Sequence, residues 1–506
     1  MKPSEPAERT HRGLSGVLSS AGAGIVALVA GIVLIPIIIA TVSAERYGTW
    51  LVVSAVAQYL NYADLGVGTA IIHFGSRARA GGEQRTLGEF LQAGLIWNAM
   101  ALVVVAPAFV WASYLYLWSE KAQATLSHGE ASALMIAGVV MLASLILKPY
   151  GAALSGAGLL PLDRRNQAIG SLVRVALTLI ACLVFRNIVA VAAAEALAVI
   201  IPALLSCAAV RRRHLAHSRW QGFPRATLKY MLSYSVRSFA VNAVGALLLQ
   251  SGTVIAGILL RPQDVTYYNA AFRVYSSVRQ LIGWANDPFR PALSRLGVTS
   301  RDAATKALMA VSFVTLALSS SGCIALMLAA PDVVKIWLGA AAPKYVAVAL
   351  TILLAGLIVN AVHLPLVPAA DAAGSPGAFF IPQLSWMIMT LAGSVLLGNL
   401  LGAPGVALGL TLPLVLVEPY YLLRAGRVLQ FSVASWFKLV LLPTALITTG
   451  GLLLAGLCAI LMLPVQVVHM GFFQAAAFLI GVLLTALTLR KKLPWENFSR
   501  LARLDL

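Results

Sequence analysis

Charge is scarce in this 506-residue chain: 11% of its residues are charged, and the 18 acids are outnumbered by 37 bases. A soluble globular domain carries about 25% charged residues, so that class is excluded. A hydrophobic share of 60% and a mean hydropathy of +0.87 place the chain in lipid. Cysteine is equally sparse. Cys182, Cys207, Cys323 and Cys458 all fall in apolar runs without metal-ligand spacing, which excludes a disulfide framework and a thiolate metal site. The seven histidines show no His-Glu-x-x-His or other metal pattern. No G-x-x-x-x-G-K-[ST] loop is present to cradle ATP phosphates. Acid-bearing catalytic loops of the kind a membrane glycosyltransferase, polymerase or ligase exposes are also missing, so an enzyme is not expected. Neither is a cofactor, and energy has to come from a coupling ion, H+ or Na+, or from the gradient of the substrate itself.

Long apolar runs are what the chain does have. Stretches of about 20 residues, enough to span a bilayer core, begin near residues 14, 48, 88, 131, 167, 188, 228, 267, 307, 347, 378, 404, 436 and 470. They predict an all-α polytopic membrane protein with about 14 transmembrane helices. The first run, roughly 14–40, follows the basic segment MKPSEPAERTHR. It is too long for a signal-peptide core and has no convincing Ala-x-Ala cleavage site, so it is expected to remain as the first helix. With the N-terminus placed in the cytoplasm, 25 of the 37 basic residues fall in loops on that side. Six, Arg46, Lys121, Arg186, Arg261, Lys335 and Lys344, fall on the other. That asymmetry orients membrane helices, puts both termini in the cytoplasm and explains the net charge of +19 without nucleic-acid binding. Tyr47, Trp50, Trp118 and Trp337, near predicted helix ends, read as headgroup anchors.

The longest basic loop, RRRHLAHSRWQGFPRA at 211–226, follows the sixth run, where a linker between two six-helix halves would fall. Transporters built from parallel repeats place their site between such halves. The expected organisation is an N-terminal six-helix bundle (1–210), a basic cytoplasmic linker (211–227) and a second six-helix bundle (228–435). Two additional transmembrane helices (436–489) and a basic cytoplasmic tail (490–506) follow.

Six bases remain inside apolar segments: Lys148, Arg174, Arg237, Arg273, Arg279 and Arg290. A basic side chain at the bilayer centre costs about 2.5–3.5 kcal/mol, so it faces a cavity or a partner. Lys148, Arg174 and Arg290 lie about one to two turns from predicted cytoplasmic helix ends and Arg273 a similar distance from the outer end, where snorkelling is an alternative. Arg237, about 14 Å into the seventh helix, and Arg279, deeper in the eighth, are the hardest to place that way. In AFRVYSSVRQLIGWANDPFRP (271–291), Arg279, Gly283, Asn286 and Arg290 share one helical stripe and Arg273, Gln280 and Asp287 another. One long side of that helix should therefore avoid lipid. Pro288 and Pro291 break its inner end.

Two readings of the excess positive charge are open. Acids on other helices, Asp64, Glu195 and Glu418, can pair with these bases, or the missing anion is the substrate, for which arginine's permanent charge and fork suit phosphate. The same three acids are candidates for binding a coupling ion. Asp64, in NYADLGVG near a helix end, can instead cap or fold, and Glu418 precedes Pro419.

Two stretches carry a family resemblance: AERYGTWLVVSAVAQYLNYADLGVGTAIIHFGSRARAGGE (44–83) and LSYSVRSFAVNAVGALLLQSGTVIAGILLRPQDVTYYNAAFRVYSSVRQLI (232–282). Through RYGTW, DLGVGTA and YYNAAFRVY the chain resembles the polysaccharide transporter or O-antigen flippase family. That family lies within the multidrug/oligosaccharidyl-lipid/polysaccharide exporter superfamily. The resemblance implies two six-helix bundles in a V around a central cavity plus two C-terminal helices. It also implies alternating access that moves an undecaprenyl-(pyro)phosphate-linked oligosaccharide to the periplasmic leaflet of the bacterial inner membrane. Where many members carry a carboxylate late in the seventh helix, this chain has QSGT, with Gln250 and Gly252.

These readings converge on a flippase whose substrate phosphate is held by Arg237 and Arg279, helped by Arg273, Arg290, Arg174 and Lys148. Its partners are the polyprenyl-linked oligosaccharide, membrane lipids and polysaccharide-synthesis proteins. The alternatives are an ion-coupled multidrug exporter of the same superfamily, a membrane glycosyltransferase or polymerase, and a scaffold that docks through the basic loop.

Overall fold

A computed structural model describes residues 24, 28–79, 81, 85–215, 223–286, 301–375, 377–462 and 469–489, with the side chains of 236–243, 246, 301 and 372 excepted. The described residues are helical throughout, with no strand among them. Among them, nine helices are long and apolar enough to cross a membrane, and shorter apolar helices accompany these. Large apolar side chains point outward along the helices, among them Val103 at 74%, Leu400 at 70% and Leu453 at 70% exposure. In water such a surface would be a liability; in lipid, apolar surface is the solvated surface.

The chain divides into two compact units, Met1–Thr266 and Tyr267–Leu506. The first holds α1 (Leu28–Val42), α2 (Ala44–Leu60), α3 (Val67–Arg79), α4 (Leu87–Leu117), α5 (His128–Ala143), α6 (Lys148–Gly156), α7 (Leu160–Ile180), α8 (Ile188–Arg212) and α9 (Arg225–Leu259). Helix α10 (Pro262–Asn286) begins at the end of the first unit and runs into the second. The second continues with α11 (Arg301–Leu338), α12 (Tyr345–Asn360), α13 (Phe380–Leu401), α14 (Ala403–Leu429), α15 (Leu442–Met462) and α16 (Met470–Thr488). Helix α9 packs on α2, α3 and α4, so packing draws the division at Thr266, whereas counting helices six and six draws it at the 211–227 loop.

Helix ends are closed locally, because backbone groups left open in lipid are costly. Thr86 with Glu89 and Ser127 with Glu130 form capping boxes at the starts of α4 and α5. Asn187 Oδ1 accepts the Ala190 N–H at 2.7 Å at the start of α8. Lys121 Nζ donates to the carbonyls of Ile258 and Leu259 at the C-terminal end of α9, where a cation suits the helix dipole.

Three expected single helices are broken. The run beginning near 48 stops at Leu60, makes a 3-10 turn over Asn61–Asp64, turns left-handed at Leu65 and Gly66 and restarts as α3. The run beginning near 131 passes through a 3-10 turn, Ser144–Leu147, before α6. The run beginning near 347 ends at Asn360 and resumes as a short helix, Leu366–Ala372.

The second and third breaks share a register. Pro149 precedes left-handed Gly158 by the same spacing as Pro365 precedes left-handed Gly374. Both short helices end identically: Ala157 N to Ala153 O, Gly158 N to Ser155 O and Leu159 N to Leu154 O are matched by Ala373 N to Ala369 O, Gly374 N to Asp371 O and Ser375 N to Ala370 O. This is a glycine-terminated cap of the Schellman type. Each unit thus contains the same joint.

Close helix approach relies on small residues. An added Cβ at Gly48, inside RYGTW, would collide with the Pro262 carbonyl, beside the point where Thr266 Oγ1 donates to the Ala44 carbonyl. At Gly409 a Cβ would strike the Ser394 backbone, which seats α14 on α13. The expected additional helices of 436–489 are found. They pack on α11 through Ala325, Ala329, Ala455, Ala475 and Phe478.

Candidate functional site

Among the described residues, three clusters of polar side chains inside the apolar helices contain charges singled out from the sequence, two in the first unit and one in the second. The first lies on the α7–α8 hairpin. Arg174 precedes the hairpin turn at left-handed Arg186 and Glu195 follows it, and antiparallel packing of the two helices brings them together. The Arg174 guanidinium lies 3.4 Å from Glu195 Oε1, and the Trp50 indole N–H donates to Glu195 Oε2 at 2.7 Å. Trp50 is fully buried and Tyr47 nearly so. The expectation of headgroup anchors therefore fails for both, because Trp50 has a carboxylate to satisfy its N–H in the interior. Arg174 is also deeper than expected. With Pro161 in its first turn, α7 starts at Leu160 and not near 167, so Arg174 sits near the middle of the span Leu160–Phe185.

The second cluster forms where α2 breaks. The carbonyl of Asn61, released from helical bonding, accepts from Lys148 Nζ at 2.7 Å, and Asp64 Oδ2 lies 3.5 Å from the same ammonium. The other Asp64 oxygen accepts the Gly66 N–H at 3.3 Å and so folds the left-handed turn of DLGVG. Lys148 opens α6 directly after its own 3-10 turn. Two helix breaks are thus tied together by one lysine, and in each of these two clusters the acid meets its base directly.

The third cluster, in the second unit, is a relay. Arg279 on α10 donates through Nε to Asn360 Oδ1 at 3.2 Å. Asn360 Nδ2 lies 3.3 Å from His363 Nε2, and His363 Nδ1 lies 2.7 Å from Glu418 Oε2 on α14. With Oδ1 accepting from the arginine, the amide must donate to Nε2, which leaves the histidine proton on Nδ1 to be given to Glu418. Asn360, His363 and Glu418 are buried, and the Tyr421 ring stacks on His363 at 4.1 Å between centroids. The second oxygen of Glu418 is buried with no hydrogen-bond partner. No carboxylate among the described residues stands within ion-pair distance of Arg279: the acid is reached only through Asn360 and His363.

Two polar residues of the stripe on helix α10 have partners on other helices, and Gln280 is exposed. Asn286 Oδ1 accepts from Thr315 Oγ1 of α11 at 2.7 Å while Arg279 faces the end of α12. Arg273, earlier on α10, is half-buried and engaged. Arg290 and Asp287 lie outside the described residues, as do Pro288 and Pro291, and so does the side chain of Arg237. The structure therefore brings Lys148 to Asp64, Arg174 to Glu195, and Arg279 through two neutral side chains to Glu418.

Asn360, His363 and Tyr421 were not singled out from the sequence, and Trp50 was read there as a headgroup anchor rather than as a partner of Glu195. The signal available for the relay was Asn-x-x-His at 360–363, two polar residues one helical turn apart in an otherwise apolar run and just before a proline.

Among solved structures, the chain is similar in fold to "Lipid II flippase MurJ, inward closed conformation", with a TM-score of 0.72 and 13% identity over 94% of this chain and 99% of that one. It is also similar to a multidrug resistance MATE family transporter of the MOP superfamily. The inward-facing form of that transporter gives a TM-score of 0.58 at 14% identity and the outward-facing form 0.53 at 16%, each covering 82% of this chain and 96% of the other. No curated protein matches it in sequence. A model of the family described as "Polysaccharide biosynthesis protein" matches residues 14–296, more than half the chain, and with an all-helical, multi-pass fold of this kind around it, the chain belongs to that family.

Proposed function

We propose that the protein is a flippase of the bacterial inner membrane, with both termini in the cytoplasm. Its cargo is an undecaprenyl-(pyro)phosphate-linked oligosaccharide, carried to the periplasmic leaflet by alternating access. The observation that carries this reading is Arg279: a half-buried guanidinium within an apolar unit whose hydrogen-bond partner is a neutral amide. A charge held this way is stable only in reach of an anion or water, and a phosphate-bearing substrate supplies the anion. Arg273 on the same helix, with Arg237 and Arg290, extends the site. The charges of Arg174 and Lys148 are already met by Glu195 and Asp64, so these two residues are assigned to holding the first unit in shape. The family membership and the fold likeness to a lipid II flippase support the reading. Binding has to be modest, because a deep well would trap the cargo. Polysaccharide-synthesis proteins are the natural partners that supply and remove it.

A multidrug exporter of the same superfamily is the second reading, favoured by the MATE likeness. Such a transporter needs carboxylates facing its passage for cationic drugs, and here Asp64, Glu195 and Glu418 are each committed to a base or a histidine.

The test is the sidedness of polyprenyl-linked oligosaccharide in the inner membrane of a host lacking the gene, complemented by wild type, Arg279→Ala or Arg279→Lys. Loss of a charge-assisted contact of about 1.5–3 kcal/mol predicts a ten- to hundred-fold slower transfer in Arg279→Ala, with partial rescue by lysine, which keeps the charge but loses the fork. Unchanged sidedness in a normally expressed Arg279→Ala would sink the assignment.

A further inference from the structure

The relay in the second unit has one property that an anion site alone does not need: its bonds all run in one direction. Arg279 donates to Asn360, Asn360 to His363 and His363 to Glu418. Because Asn360 Oδ1 takes the Arg279 hydrogen and His363 Nε2 takes one from Asn360, the amide and the ring are left with Nδ2–H and Nδ1–H to give forward. Tyr421, stacked on the imidazole at 7° between ring planes, and Trp386, edge-on at 75°, hold the ring in place. The backbone is fixed as well, since the His363 carbonyl accepts from the Leu366 and Val367 N–H groups at the start of the short helix after the break.

We propose that His363, paired with Glu418, is a proton-binding site whose occupancy is transmitted to Arg279 by rotation of the Asn360 amide. A proton arriving from water adds to His363 Nε2, the one ring nitrogen without hydrogen. Imidazolium now donates on both sides, to Glu418 from Nδ1 and toward Asn360 from Nε2. The Asn360 Nδ2 hydrogens face it donor to donor, and the amide relieves this by a half-turn about its Cβ–Cγ bond, so that Oδ1 accepts from Nε2–H. The same half-turn points Nδ2 at Arg279 Nε–H. Arg279 loses its acceptor and is released to an anion. Loss of the proton reverses every step, so proton binding and anion binding favour each other, and the linkage is reciprocal.

The surroundings add no competing switch. On α14 the buried ionisable groups are Glu418 and Tyr421; Tyr420 and Arg427 are exposed, and Arg424 donates to the Ala378 carbonyl. On α10 Tyr275 lies beside Arg279, and Cys323 of α11 lies beside Tyr275. Asp371, on the short helix Leu366–Ala372, has its own partner. Trp386 of α13 does not titrate. A proton on the unpartnered Glu418 Oε1 would leave Asn360 and Arg279 unmoved, so where the proton sits decides between a coupled and an uncoupled site.

The proposal rests on the anion reading of Arg279, and the experiment keeps the two apart. The probe is a short-chain polyprenyl phosphoglucose, a phosphodiester that does not titrate near neutrality. Its binding to the purified full-length protein is followed by calorimetry in two buffers of different ionisation enthalpy, which gives the protons taken up per anion bound. Wild type is expected to take up a fraction of a proton. His363→Phe, which keeps the stacking on Tyr421, should take up none, and Asn360→Leu none while still binding. Equal uptake in all three, or none in wild type with binding that depends on Arg279, overturns the coupling. Binding that ignores Arg279→Ala refutes the anion site instead. A second measurement needs no anion: the rate at which phenylglyoxal modifies Arg279, read by mass spectrometry as the ratio of wild type to His363→Phe. That ratio should rise several-fold as pH falls across the histidine range, from about 8 to 5.5, and a flat ratio overturns the proposal.

Discussion

Replacing Glu195 by alanine removes two contacts of very different worth. The Trp50 indole N–H donates to Oε2 at 2.7 Å and the residue is fully buried, away from bulk solvent. An orphaned buried donor costs about 1–3 kcal/mol, toward the top of that range when the lost acceptor was charged. The Arg174 contact is weaker: at 3.4 Å and with 37% of the arginine side chain exposed, it is a long hydrogen bond worth about 0.5–1.5 kcal/mol. The sum is roughly 2–4 kcal/mol. Glu195→Gln keeps a carbonyl for Trp50 and should lose about 1 kcal/mol, as should Arg174→Ala. The assay uses a thiol that the fold hides. Cys182 is buried in the first unit, so in a protein carrying Cys207→Ser, Cys323→Ser and Cys458→Ser, a maleimide fluorophore reacts with Cys182 only when that unit opens. On heating, Glu195→Ala should label at clearly lower temperature than wild type, with Glu195→Gln and Arg174→Ala in between. Labelling of Glu195→Ala at the wild-type temperature, or an Arg174→Ala as damaging as Glu195→Ala, would show that the buried indole contact does not hold the unit together.

Two further outcomes follow from the packing. Gly48→Val places a side chain against the Pro262 carbonyl, a backbone atom that cannot swing away, so the membrane-inserted yield of this variant should collapse while Val52→Ala, one turn on, is tolerated. Lys148→Met leaves the Asn61 carbonyl without its ammonium and should lower the Cys182 labelling temperature by the equivalent of about 1–3 kcal/mol. Asp64→Asn, whose amide oxygen can still take the Gly66 N–H, should do far less.

Much of the molecule can be read from hydrophobicity alone. The helical class, the start of most spans and the paired helices of 436–489 follow from runs of apolar residues, because lipid permits few alternatives to a helix. The joints were hidden. Nothing in the apolar run through Ser144–Leu147 distinguishes a 3-10 turn from a continuing helix, since both satisfy the backbone and the difference of one residue in hydrogen-bond span leaves no compositional trace. Pairing was partly visible. Asp64, Glu195 and Glu418 were the right acids to suspect, but spacing along one helix cannot say which helix lies opposite, and Glu195 meets Trp50 from a helix far away in sequence. The relay was missed because its middle members, Asn360 and His363, are neutral, and attention to charge passes over neutral groups that carry a charge's influence.

The joint shared by the two units gives them different mechanical characters. A helix interrupted just before a proline and closed by a left-handed glycine is where the axis is most readily redirected, like a shaft in a bearing. In the first unit the residue just before the proline is Lys148, which reaches across and pins the bearing to the end of α2. In the second the same position is Leu364, and the bearing is held from outside by Arg279. One bearing is bolted by its own shaft, and the other is latched by a neighbour that can let go.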